Sequence, residues 1–127
     1  MQPNILFLIA IGGGLGAVAR HYLSTLVYKF ADGGFPWGIL AVNVLGGLLM
    51  GIIAGIGAFA FSFPPAVRAL LVTGLLGGFT TFSAFSLDTV LLIERSDWAG
   101  AALYVGSSVS LSVGAVFAGL WLARSFA

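Results

Sequence analysis

Gly74-Leu75-Leu76-Gly77-Gly78-Phe79-Thr80-Thr81-Phe82-Ser83-Ala84-Phe85-Ser86 lies inside an apolar stretch long enough to cross a bilayer, yet half of it suits a clean membrane helix badly. Gly77 and Gly78 withdraw side-chain support from the backbone, and glycine is a poor helix former. Thr80, Thr81 and Ser83 bring hydroxyls able to serve freed backbone groups or a ligand. The stretch reads as a helix interrupted near Gly77–Thr81. Non-helical backbone at membrane depth survives only when buried in protein or lining a watery cavity. Such breaks often mark ion sites, because unwound carbonyls and helix ends are ready-made ligands. A glycine-rich packing face that stays helical is the plainer alternative, and these residues alone leave both open.

The chain around this stretch has 127 residues, 60% of them hydrophobic and only 7% charged. Its mean hydropathy is +1.13. A soluble domain of this length needs more surface charge. The apolar runs are continuous, without the alternation of barrel strands, so the class is an all-α integral membrane protein with one domain over residues 1–127. A net charge of +1 gives no argument for nucleic acid, and the absence of cysteine excludes disulfides and thiol chemistry. Met1–Asn4 has no basic region, and the apolar run from Ile5 is too long and glycine-rich for a cleavable signal.

Outward from the central stretch, four spans are expected at about 5–28, 37–61, 66–93 and 98–123, each near the ~20 residues a bilayer requires. Asp32-Gly33-Gly34 and Pro36 form a turn signature in the first connector. Prolines in Ser62–Pro65 end one helix and open the next. Trp37 and Trp98 stand at span starts, where interfacial aromatics belong. Arg68 and Arg124 fall on one side of the membrane, Lys29 and Arg95 on the other, with Arg20 ambiguous inside the first span. That balance does not fix a topology. A chain inserted both ways can form an antiparallel dual-topology homodimer, an inverted repeat made from two copies.

Polar residues within spans are costly and therefore informative. Asn43 shares a face with Gly46, Gly47 and Gly51, small residues that let helices approach closely, and should point into the bundle. An amide that merely joins two helices is the plainer alternative. Tyr104, Ser108 and Ser112 fall at i, i+4 and i+8, a hydroxyl line about 12 Å long. Phe79, Phe82 and Phe85, at i, i+3 and i+6, read as one ridge interleaved with hydroxyls. Ridges of this kind are usually core packing. Their electropositive ring edges, however, suit a small dehydrated anion, whereas a cation would prefer the ring faces. Gly12 and Gly16 mark close packing in the first span. Arg20 either snorkels to the interface or raises the anion concentration at a vestibule. His21 reads as interfacial, since no second histidine or cysteine exists to join it on a metal. No carboxylate stands in the middle of a span, and no nucleophile–base pair, metal cluster or phosphate loop suggests an enzyme.

Taken together, Gly12–Arg20, Pro36-Trp37-Gly38 through Asn43 to Gly47, Thr73–Ser86 and the Tyr104/Ser108/Ser112 stripe resemble the Fluc-type (CrcB) fluoride channels over essentially the whole chain. The resemblance implies a dual-topology homodimer in the cell (inner) membrane with two antiparallel pores. These would pass fluoride passively out of the cytoplasm and so give fluoride resistance. It implies pore roles for Asn43, Phe82, Phe85, Tyr104, Ser108 and Ser112, beside the weaker vestibule role for Arg20. It also implies a central structural sodium ion on the backbone carbonyls of Gly77 and Thr80 from both subunits. Two positions depart from the family pattern. Ile39 stands where some members have a hydroxyl, and Asp88 where glutamate is common. The competing reading is a small dual-topology proton-coupled multidrug transporter, which generally needs a membrane-embedded acid. A non-transporting subunit, with the polar stripes as interhelical glue, is a third.

Overall fold

The computed structural model describes residues 2–31 and 33–126, and every regular element among them is a helix. Helix α1 (Pro3–Phe30) and helix α2 (Trp37–Phe59) run without interruption. The third span opens with α3 (Pro65–Arg68), continues as a π-helical segment (Ala69–Leu76) and closes its first half with α4 (Gly77–Phe79). After Thr80 and Thr81 it resumes as α5 (Phe82–Glu94), and α6 (Trp98–Phe126) completes the chain. Four helices are thus long and apolar enough to cross a membrane: Pro3–Phe30, Trp37–Phe59, Pro65–Glu94 and Trp98–Phe126.

The connectors follow from local chemistry. Pro64 is extended at ψ 152°, and Pro65 opens the next helix at a position where its missing N–H costs nothing. In the first connector Asp32 lies outside the described residues. Gly33 and Gly34 have φ of 118° and 86°, a region glycine enters without strain. Arg95 Nη2 donates to the Gly34 carbonyl at 2.7 Å, tying this turn to the end of α5.

Glycine seams set the packing. A Cβ on Gly12 would meet the Leu70 carbonyl oxygen at 2.6 Å, and one on Gly16 would overlap the Leu75 carbonyl oxygen and lie 2.8 Å from the Phe79 nitrogen. Contacts advance together along both helices, so α1 and the third span run parallel. Gly47 meets Ser112, Gly51 meets Val116 and Gly119, and Gly55 meets Ala123, so α2 and α6 are a second parallel pair. Backbone-to-backbone contact of this kind is how membrane helices gain packing energy where no hydrophobic driving force exists between them. Leu40, Leu92, Ala101 and Tyr104 form a buried cluster among α2, α5 and α6, with Phe35, Val44, Phe85 and Ile93 against it.

The break differs from the sequence expectation in one respect. Gly77 and Gly78 stay helical, and only Thr80 (φ −79°, ψ 154°) and Thr81 (φ −149°, ψ 123°) are extended. Glycine's helix penalty is only about 1 kcal/mol, and tertiary packing overrides it. A side chain on Gly78 would overlap the Gly13 carbonyl, so the glycine is there for close approach to α1. Thr81 leaves the helix because it caps the next one, its Oγ1 accepting from the Ala84 amide at 3.1 Å.

Candidate pore-lining groove

A groove of about 430 Å³ runs between α2, α5 and α6 beside the break. Asn43, Thr80, Thr81, Phe82, Phe85, Ser108 and Ser112 line it, with an apolar wall of Met50, Val109, Val113 and Val116. Five side chains singled out in the sequence, on three helices, therefore meet in one place. Among the described residues no carboxylate lines it.

Asn43 is fixed by the break. Its Nδ2 donates to the Thr81 carbonyl at 3.0 Å, and its Oδ1 accepts from the Thr81 amide at 2.9 Å. The amide group thus replaces the helical partners that Thr81 gave up, and one Nδ2 proton remains for another acceptor. Both sequence alternatives meet here, since the side chain joins two helices and also lines the groove.

The three phenylalanines do not form one ridge. Phe79 is buried at the end of α4, beside the space left by Gly46. Phe82, 78% exposed, and the half-buried Phe85 follow on α5, and the two extended residues between have turned the chain. The Phe82 and Phe85 centroids are 5.6 Å apart, and Phe85 and Tyr104 are 5.1 Å apart. Phe35 then meets Tyr104 edge-on at 5.6 Å. A continuous line of rings leads from the open groove to the buried cluster.

On α6 the stripe divides. Tyr104 is fully buried and donates its hydroxyl proton to Asp88 Oδ2 at 3.2 Å. The Ser108 and Ser112 hydroxyls are buried without a hydrogen-bond partner. A serine in a membrane helix ordinarily bonds a carbonyl one turn back. Thr80, Ser86 and Thr89 do so here, to Leu76, Phe82 and Phe85. Ser108 and Ser112 do not, and their unpaired burial is a cost that needs an explanation.

Arg20 reaches the break. Its Nη1 donates to the Gly78 carbonyl at 2.8 Å and lies 3.5 Å from the Thr80 carbonyl. The break's chemistry suits a hard cation in kind, because the available donors are carbonyl oxygens. The Gly77 carbonyl has also lost its helical donor, since the Thr81 amide bonds Asn43. One chain brings too few of these oxygens to complete a coordination shell. Sequence reasoning missed the Arg20 contact, the π-helical segment and the pairing of the Thr81 backbone with Asn43, although it expected the Thr81 hydroxyl to serve a freed backbone group. Arg20 could have been suspected, since a charge deep in an apolar span needs a partner. No sequence signal marks the π-helical segment.

Comparison with known proteins bears on the family. Residues 7–120 match the family model described as CrcB-like protein, Camphor Resistance (CrcB). The chain is 49% identical over 124 residues to a protein of Nitrobacter winogradskyi named fluoride-specific ion channel FluC, covering 98% of each. It is 48% identical over 122 residues to a protein of the same name from Rhodospirillum centenum, covering 96% of this chain and 97% of the relative. A Rhodopseudomonas palustris protein of that name is 49% identical over 118 residues, covering 93% of this chain and 95% of the relative. With likeness along nearly its whole length and four helices fit to span a bilayer, the chain is a multi-pass membrane protein and belongs to the CrcB family.

Proposed function

We propose that this protein is a fluoride-selective channel that passes the ion passively, using the groove as half of a pore. The observation that carries the reading is the pair of buried, unpartnered hydroxyls on Ser108 and Ser112, in a groove that also holds the Asn43 amide and the Phe82 and Phe85 rings. Fluoride is small and strongly hydrated, so a selective path must replace its water. Neutral donors do this without holding the ion too long. Serine hydroxyls, the free Asn43 N–H and positive ring edges are such donors. The Tyr104 proton is shared with Asp88, so an anion arriving there competes with a carboxylate. No covalent bond is made or broken, so the protein is not an enzyme. Among the described residues the groove carries no acid to serve as a proton-coupled exchange site, which weighs against the multidrug-transporter reading.

The reading includes an antiparallel homodimer. One chain leaves Phe82 exposed and the groove open, and its Lys/Arg balance favours neither orientation. A second copy would close the groove into a pore. It would also bring a second pair of Gly77 and Thr80 carbonyls to a shared sodium ion, which would serve structure and not transport. Export from the cytoplasm follows if fluoride accumulates inside.

Efflux from liposomes holding only the purified protein tests the channel. Fluoride should leave and chloride should stay. Equal rates for both ions, or fluoride release no faster than from empty vesicles, would refute it. Reporters fused to the C-terminus should be found on both membrane faces, and a single orientation would remove the antiparallel dimer.

A further inference from the structure

A broken helix at mid-bilayer leaves carbonyls that water cannot serve. In a continuous helix the Gly78 and Thr80 carbonyls would accept from the amides of Phe82 and Ala84. Here Phe82 begins a new helix, and the Ala84 amide goes to Thr81 Oγ1. The first half of the span therefore ends as a helix C-terminus does, with partial negative charge on orphaned oxygens. The Arg20 guanidinium meets that end, 2.8 Å from the Gly78 oxygen and 3.5 Å from the Thr80 oxygen. It arrives from α1, one turn after Gly16, whose missing side chain lets the two backbones touch beside Leu75 and Phe79. From α2, Asn43 holds the N–H and C=O of Thr81. The two extended residues are thus gripped from α1 by a charge and from α2 by an amide.

We infer that Arg20 is a positioning residue whose guanidinium is the built-in counter-charge of the broken span. By satisfying the Gly78 carbonyl, and lying 3.5 Å from a Thr80 oxygen that keeps a lone pair for the proposed sodium ion, it fixes the path of Thr80 and Thr81, and so the direction in which Phe82 enters the groove. Its effect on flux passes through the backbone and not through contact with the anion, since Arg20 is not among the residues lining the groove. As far as flux is the readout, this rests on the channel reading above.

The test uses full-length protein in lipid, with two measurements on each variant: fluoride efflux, and hydrogen exchange at the backbone amides of residues 79–84. Arg20→Ala should lower efflux by about tenfold or more, the scale of a lost hydrogen bond to a charged group. Exchange across 79–84 should quicken by a similar factor. Arg20→Lys keeps a charged donor without the guanidinium fork and should fall between the parent and Arg20→Ala on both measurements. If Arg20→Ala does not fold, Arg20→Gln replaces it, keeping a neutral donor and exchanging faster than Arg20→Lys. Efflux that falls while exchange stays at the parent rate would overturn the inference and make Arg20 a vestibule charge. Exchange unchanged in all variants, or Arg20→Lys no closer to the parent than Arg20→Ala, would overturn it as well. A parent protein that moves no fluoride would sink the channel reading, and the exchange measurement would still decide the role of Arg20.

Discussion

The seam between α1 and the third span and the seam between α2 and α6 are both parallel and both built on glycine, yet they treat polar groups in opposite ways. Along the first, polarity is consumed within the chain. Arg20 serves the Gly78 and Thr80 carbonyls, and the Thr80 hydroxyl serves Leu76. Along the second, Ser108 and Ser112 stand buried and unserved. Asn43 lies on the boundary, with one edge spent on Thr81 and one proton left over. The contrast separates polar groups that hold the fold from polar groups left unpaired, which the proposed channel would use for its ion. Satisfied groups in a low-dielectric interior specify one arrangement, and unsatisfied ones carry a standing cost that function explains.

The largest expected effect breaks the first seam. Gly16→Ala drives a methyl into the Leu75 carbonyl, whereas Gly14→Ala enters open space within the chain. Overpacking costs about 1–3 kcal/mol and a backbone oxygen yields little, so Gly16→Ala should lose folded protein in detergent. Gly14→Ala should not, and equal thermal stability of the two would refute the seam. Next comes the boundary residue. Asn43→Leu strands the Thr81 amide at a cost of about 1–3 kcal/mol, so both stability and fluoride efflux should fall. If efflux falls with no loss of stability, Asn43 belongs wholly to the ligand side of the comparison.

Phe82→Ile should cut efflux sharply and cost stability only the one ring pair with Phe85, about 0.5–1.5 kcal/mol, because Phe82 is 78% exposed in the single chain. Phe85→Ile loses ring contacts to Phe82 and Tyr104 and should also cost about 0.5–1.5 kcal/mol per pair. Parent-like efflux from both, in folded protein, would return these rings to simple packing. The smallest effect sharpens the contrast most. Ser108→Ala and Ser112→Ala remove hydroxyls that have no partner, so stability should hold or rise slightly while efflux falls. A clear loss of stability from either would mean that its hydroxyl holds the fold.

From the sequence alone the fold class was legible, because 60% apolar residues in four long runs admit only spanning helices. The hydroxyl stripe was legible too, since helical spacing places Tyr104, Ser108 and Ser112 on one face whatever surrounds them. Asn43 was found because a lone amide in an apolar span is conspicuous. Tertiary contact alone decided where the helix breaks and what holds it broken. Gly77 and Gly78 were weak helix formers by propensity, but both stay helical with α1 pressed against Gly78, and the break falls on the threonines. The phenylalanine spacing suggested one ridge only while the helix was assumed continuous. Arg20 and Gly78 are 58 residues apart, and no local pattern announces a bond between them. Period and composition are properties of a segment, whereas the partner of a freed carbonyl depends on which other segment lies beside it.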